Sequence, residues 1–396
     1  AGVTVITADA IARSGAADIV QALETLGGVH IRKISGNPSL SEVSLRGFGE
    51  TSHGRVLVLV NGERLNNLDL AAPNLLRIPF GSIERIEVLH GPQAVLHGDS
   101  AVAGVINVVT HPGSGEASTT VSATVGSQHT RGAAVTASAP LDDTARYAVD
   151  AGWLRSDGWR ENSGYETRDI RATLNADWNE RFSSSLSLFY NQADYGMPGD
   201  LTRAQMRANP KQSDTPRDTF DSESWGLAFG HALLVGEEGR LALDFTASRR
   251  LTDSDNDYTA WGYWMYYSGT LDSFALSPSY SDRYRIAGLD NRLTLGIDAR
   301  FDTLAMAYTY NPQIPLWGIS NKRFDLDRLS LAGYAENETF FSETLSLVLG
   351  GRADRIRNEP NVNNAGLRDV TSTESALSAA LLYRPTRQVK AFARAA

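Results

Sequence analysis

The 396-residue chain has no cysteine, which excludes a disulfide framework and any thiol-based metal site. It has no run of 18 apolar residues, so no transmembrane helix can be drawn, and a membrane location is open only to a β-barrel. It has no excess of positive charge. Its 37 Lys and Arg face 46 Asp and Glu, a net charge of −9, which argues against a nucleic-acid partner and names no ligand. No signal-peptide pattern opens it, so export would place Ala1 after a processing point. The 7 histidines show no metal spacing, neither His-Glu-x-x-His nor an i, i+4 pair. Gly98-Asp99-Ser100 lacks the glycine two positions after serine that a nucleophile elbow needs, and Gly47-Phe48-Gly49 lacks the third glycine of a dinucleotide fingerprint. No pattern places two carboxylates in one pocket. The expectation is a protein that is not an enzyme and holds no cofactor.

What is present divides in two, as a chain too long for one ordinary core should. Residues 1–113 read as a small α/β domain. Val3–Ile6 is a strand, Thr7 caps a helix over Ala8–Arg13, and Ala16–Leu26 carries Ile19, Val20, Leu23 and Leu26 on one face before Gly27-Gly28. Val29–Arg32 is a strand, followed by the polar turn Ser35–Ser39. Between Ile83 and Thr110, an alternating strand stops at Gly91-Pro92, a helical turn covers Gln93–Leu96, and Val102–Val109 forms a second strand.

Residues 117–396 have another texture: segments of about ten residues that alternate apolar and polar. Leu293, Leu295, Ile297, Ala299 and Phe301 share one face and Arg292, Thr294, Asp298, Arg300 and Asp302 the other. The same alternation sets Leu241, Leu243, Phe245 and Ala247 against Arg240, Asp244, Thr246 and Ser248. Connections near 140–143, 179–180, 236–239, 342–343 and 386–387 are short, whereas those near 156–167, 194–222, 252–270, 310–322 and 357–373 are long. Short turns at one end and long loops at the other are the pattern of an outer-membrane barrel. We count twelve strands and the start of a thirteenth at Gln388.

Three spaced blocks carry a resemblance. Val43-Ser44-Leu45-Arg46-Gly47-Phe48-Gly49, then the stretch Val56–Asn66, then Ile83–Thr110 closely resemble the plug domain of TonB-dependent outer-membrane receptors. Two positions depart from the family pattern: His90 stands where Arg is usual before Gly-Pro, and His97 where Tyr is usual in Leu-Tyr-Gly. The resemblance implies a membrane all-β barrel, 22-stranded in the family with about 12–13 strands present here, filled by the N-terminal α/β plug. It implies a location in the bacterial outer membrane, among its lipids. It also implies import of a scarce nutrient without chemistry on it, energised by TonB and its inner-membrane partners. A ferric siderophore or similar iron chelate leads the substrates. Cobalamin and haem are alternatives, and a non-transporting adhesion or structural barrel is the rival from another class. A chelator holds its own iron, so no protein metal ligands are expected.

In the resembling receptors apical plug loops touch the substrate. The matching positions are Asn37, Ser39 and Leu40 in one loop, Asn67, Asp69 and Leu70 in another, and His97, which either contacts the ligand, or caps the short helix Gln93–Leu96, or contacts the barrel wall. Trp261, Tyr263 and Trp264, with Tyr258, Tyr266 and Tyr267, form an aromatic cluster that reads either as a stacking surface for ligand or as an interfacial girdle. Asp253, Asp255 and Asp257 alternate just before it. They are weak calcium candidates, because Tyr258 and Trp264 occupy the Gly and Glu positions of an EF-hand loop. A short loop helix over Leu201–Ala208 carries a Thr202/Gln205 capping box.

Two further expectations are geometric. A plug of about 110 residues has an outer radius of roughly 17 Å, while twelve closed strands give a backbone radius of only about 12 Å and twenty-two give about 22 Å. Nine or ten further strands are therefore expected beyond the thirteenth. Leu293, Leu295, Ile297 and Phe301 should face lipid, and Arg292, Asp298 and Arg300 the lumen.

Overall fold

The computed structural model describes residues 2–33, 38, 41–48, 54–69, 72–113, 116–259, 262–313, 320–363, 365–386 and 389–395. Its N-terminal unit runs Val3–Thr7 (β1), Ala8–Ser14 (α1), Ile19–Leu26 (α2), His30–Lys33 (β2), Ser41–Ser44 (β3), Val56–Val60 (β4), Glu63–Arg64 (β5), Ile83–His90 (β6), Ala94–His97 (α3) and Gly104–Thr110 (β7). The Thr7 hydroxyl accepts from the Ala10 amide and caps α1 as expected, and the Asp18 carboxylate accepts from Gln21 and starts α2 three residues later than the sequence pattern placed it. A five-stranded sheet forms in the order β1-β6-β7-β4-β5, with β4 and β7 parallel. The unbroken apolar run of β4 is buried along its whole length, as a strand covered on both faces requires. Ile19, Val20 and Leu23 of α2 join Val56, Val58, Ile86, Val88, Ile106 and Val108 in one core. Gly104 is obligatory there, because a Cβ would lie 2.4 Å from the Leu89 carbonyl oxygen.

The remainder is one long antiparallel sheet. Its strands are Ser118–Val125 (β8), Arg131–Pro140 (β9), Ala145–Ser156 (β10), Tyr165–Asn179 (β11), Phe182–Gly196 (β12), Thr219–Val235 (β13), Gly239–Tyr258 (β14), Tyr263–Ile286 (β15), Leu289–Asn311 (β16), Lys322–Phe340 (β17), Leu345–Val362 (β18), Ala365–Gly366 (β19), Val370–Tyr383 (β20) and Ala391–Ala395 (β21). Each pairs with the next, β19 hanging off β18 and β20 pairing β18 directly. Among the described residues β8 and β21 are the two ends of the order.

The faces follow the expected alternation. Leu295, Ile297 and Phe301 are 39%, 57% and 42% exposed on the outside, while Asp298 and Arg300 line a cavity against the N-terminal unit. Arg292, close to a short turn, is exposed and sits 5.9 Å over the Phe340 ring. The helix α4, Arg203–Ala208, carries its capping box as expected.

Three sequence readings are corrected. The stretch 252–270 is not a long loop: β14 continues through Tyr258 and β15 starts at Tyr263. Above the apolar band both faces of a strand are wet, so polar residues in succession there mark no loop. For the same reason β18 runs on to Val362, so less of 357–373 is loop. A short turn at Ala287-Gly288, both with positive φ, joins β15 to β16 and had no place among the expected connections.

Candidate functional site

Three tiers occupy the lumen, and strand register defines them. Inward positions are even on β14 and β16 and odd on β15, as the contacts of Arg250, Ser273 and Asp302 establish. Toward the long-loop end this phase turns Tyr258, Tyr263, Tyr267, Tyr308 and Tyr310 inward. Tyr258 stacks on Tyr263 at 5.2 Å, Tyr263 meets Tyr310 at 5.7 Å and Tyr267 meets Tyr308 at 5.2 Å. Tyr195 and Phe220 stack at 5.0 Å on the adjoining β12 and β13.

Below the tyrosines, toward the short turns, comes one register row of Arg250, Leu271, Leu304 and Leu326. Leu271 and Leu304 are 6% and 2% exposed although they face inward. Arg250 pairs with Asp69 of the plug loop, and the two side chains are only 11% and 10% exposed. That loop is anchored by Asn66, whose side chain accepts from the Val58 amide at 2.8 Å and donates to the Val56 carbonyl at 2.9 Å.

The third tier is a cavity of about 1030 Å³ between the plug and strands β11 to β20. On the plug side Arg64 pairs with Asp99 and donates to the His97 carbonyl at 3.1 Å. On the wall Arg300 holds Asp302 at 2.8 Å, and Arg352 bridges Asp298 at 2.6 Å and Asp354 at 2.9 Å. Burial raises the Glu63 carboxyl against the opposing pull of Arg77, Arg171 and Arg300, and burial lowers Arg77 to about 10. Burial, aided by Arg64 and Arg352 and opposed by Asp298, lowers the His97 imidazole to about 4. Asp99 is pushed up by burial, but Arg64 and Arg300 outweigh that and hold it below the usual carboxylate range.

The residues singled out in the sequence part company here. Asp69 and Asn67 lie on the plug loop beside Arg250, and Tyr263 lies in the tyrosine tier. Trp264 has the opposite phase and faces outward with Tyr266; Arg217 covers its ring at 5.9 Å. The two readings of the aromatic cluster therefore divide between alternate residues. His97 is not in that tier: α3 packs on β17, β18 and β20, and a Cβ on Gly98 would touch Arg352 at 3.0 Å. Asp253, Asp255 and Asp257 also face outward. Asp253 accepts from the Tyr266 hydroxyl and Asp257 from the Thr259 amide at 2.9 Å, and no group of three metal-binding side chains occurs among the described residues. Asn37, Ser39, Leu40, Leu70 and Trp261 lie outside the described residues. Tyr308, Tyr310 and Arg250 went unnoticed in the sequence, although the first two continue the inward phase of Asp298, Arg300 and Asp302.

A strand-built wall that is apolar outside and polar inside, with an α/β domain in its lumen, defines a plugged outer-membrane β-barrel. Residues 1–105 match the family described as TonB-dependent Receptor Plug Domain. The N-terminal unit is thus a plug domain of the kind found in TonB-dependent receptors of the bacterial outer membrane. It is 29% identical over 195 residues to the vitamin B12 transporter BtuB of Vibrio vulnificus strain CMCP6, a match covering 48% of this chain and 32% of that protein. It is 30% identical over 207 residues to BtuB of Vibrio cholerae strain M66-2, covering 49% and 32%. The matched stretch thus spans about a third of these relatives. The fold superposes on the unliganded ferric citrate transporter FecA with a TM-score of 0.88 at 18% identity, over 99% of this chain and 62% of that one. On the ferric yersiniabactin receptor FyuA of Yersinia pestis the TM-score is 0.82 at 15% identity, over 99% and 63%. The relatives and neighbours are transporters and receptors by name.

Proposed function

We propose that this receptor imports an iron chelate of the siderophore type across the outer membrane, energised by TonB. The observation that carries the reading is the inward tyrosine tier above the plug loop of Asn67 and Asp69. Aromatic faces stack on planar chelating groups and phenol hydroxyls bond their oxygens, so the tier suits a bulky, oxygen-rich ligand. The chelator supplies the metal's ligands, so the wall needs none. The names of the fold neighbours, ferric citrate and ferric yersiniabactin receptors, support this class.

A second reading, cobalamin uptake, is favoured by the sequence relatives, which are vitamin B12 transporters. The deciding experiment uses the native full-length receptor. A panel of ferric chelates and cyanocobalamin is titrated against its intrinsic fluorescence, and uptake is followed in host cells with and without TonB. Saturable binding of a ferric chelate with TonB-dependent uptake supports import of iron. Binding of cyanocobalamin alone puts the second reading in its place. Binding of neither, with no TonB-dependent uptake, leaves the adhesion or structural barrel.

A further inference from the structure

The cavity below the leucine row holds guanidinium donors that its neighbours leave unused. Arg64 of the plug, Arg300 of β16 and Arg328 of β17 converge there with two carboxylates, Asp99 and Asp302. All five belong to one cluster: Asp99 feels Arg64, Arg300 and Arg328, while Arg64 feels Asp99, Arg300 and Asp302. Glu63 also pulls on Arg300, so charge alone does not single out a site, and the unused donors do.

The hydrogen bonds show which donors are unused. Asp302 accepts twice from Arg300 Nε, at 2.8 and 2.9 Å, and once from Ser273 at 2.6 Å. Asp99 is taken by Arg64. Arg328 lies directly across the ladder from Asp302, yet its buried Nε has no hydrogen-bond partner. The outer edge of Arg300 reaches only Ser273, at 3.4 Å. A buried guanidinium nitrogen with no acceptor is costly unless something fills it, and the group that fits the guanidinium fork is a carboxylate or phosphate oxygen pair.

One register step below, the row changes sign. Asp244, Asp298, Asp354 and Glu374 all stand in the row of Asp298, with Arg352 one step further. An anion is therefore confined to the tier just under Leu271 and Leu304 and repelled from the row beneath it. The cavity, at about 1030 Å³, has room for a drug-sized molecule.

We infer that the tier of Arg64, Arg300 and Arg328 is a second binding chamber, set apart from the tyrosine tier by the leucine row on the wall between them, and that it takes an oxyanion-bearing ligand. Its recognition element is the Arg328 guanidinium with the free edge of Arg300. The chamber stands on its own geometry and does not depend on which nutrient the receptor imports.

The test uses the native full-length receptor in detergent and inorganic pyrophosphate, a metal-free probe with several oxyanions. Binding is measured by calorimetry for wild type, Arg328→Gln, Arg328→Lys and Tyr263→Ala, each checked for the heat-modifiable mobility of a closed barrel. The expected result is saturable binding to wild type, weakened at least about tenfold in Arg328→Gln by loss of charge-assisted bonds. Arg328→Lys retains part of the affinity and Tyr263→Ala all of it. No saturable heat with wild type overturns the proposal. So does equal affinity in Arg328→Gln, which marks an adventitious ion only, and so does weakening in Tyr263→Ala alone, which puts the probe in the upper tier. None of these results bears on the tyrosine tier as a chelate site, because that is tested with chelates.

Discussion

Arg250 of β14 and Asp69 of the plug loop, 181 residues apart in sequence, form an ion pair inside the lumen with both side chains about nine-tenths buried. It ties the plug loop of Asn67 and Asp69 to the barrel wall. A buried pair adds little net stability over an apolar pair, but removing one partner strands the other charge and costs about 3–5 kcal/mol. We expect Asp69→Asn to loosen the plug loop by that order and Asp69→Asn/Arg250→Leu to recover most of the loss. Hydrogen exchange at the amides of 65–69 reads it directly. Unchanged exchange in the single variant refutes a structural role for the pair.

The outer face of β16 makes a second prediction. Leu295 and Ile297 point away from the lumen while Asp298 bonds Arg352 along the inner face of the wall. Lysine at Leu295 should cost about 2–4 kcal/mol of insertion near mid-bilayer, and asparagine at Asp298 should cost no insertion energy of that kind. Spin labels at the two positions, probed with oxygen and with a polar relaxant, give the same information without a charge. A lipid-accessible label at residue 298 contradicts the facing.

How much of this was legible follows from where contrast exists. β16 was readable because lipid on one side and a polar lumen on the other force a period of two on Leu293 to Phe301. Beyond the apolar band the contrast ends, so the extension of β14 through Asp253, Asp255 and Asp257 read as loop. Tyr308 and Tyr310 were recoverable by carrying the phase of Asp302 forward, but a chain of polar and aromatic residues gives no local reason to do so. The Asp69–Arg250 pair was out of reach, since no periodicity connects residues on different domains. The motif position of His97 was plain in the sequence. Its packing against the wall was not, because that depends on how α3 meets β17 and β18.

His97 yields a pH prediction. Its imidazole falls from an ordinary 6.5 to about 4 because burial, Arg64 and Arg352 penalise the charged form. A base with a lowered folded pKa contributes stability when it is neutral in both states, above about pH 6.5. As pH falls from there to about 4 the unfolded state takes a proton that the folded state refuses, and stability is lost; below about 4 the loss levels off. The full loss is at most roughly 3 kcal/mol. Amide exchange in α3, corrected for the intrinsic pH dependence, should show protection falling across this window in wild type and not in His97→Gln. Equal pH profiles in the two proteins remove His97 as the cause.

The phase of β15 separates neighbours that composition treats alike. Tyr263 turns inward, stacked on Tyr258 and touching Tyr310, while Trp264 turns outward beneath Arg217. If the tyrosine tier receives the chelate, Tyr263→Ala and Tyr310→Ala should each weaken binding by about 1–2 kcal/mol, the scale of one lost aromatic contact with its hydrogen bond. Trp264→Ala should leave binding within about 0.5 kcal/mol of wild type, even though tryptophan is the larger ring. The loss should appear mainly as faster dissociation, since the tier holds the ligand after it arrives. The measurement is equilibrium and stopped-flow fluorescence with whichever chelate the uptake experiment identifies, on receptors shown to be inserted. A larger effect from Trp264 than from Tyr263 would reverse the assignment and move the ligand to the outer rim of the loops.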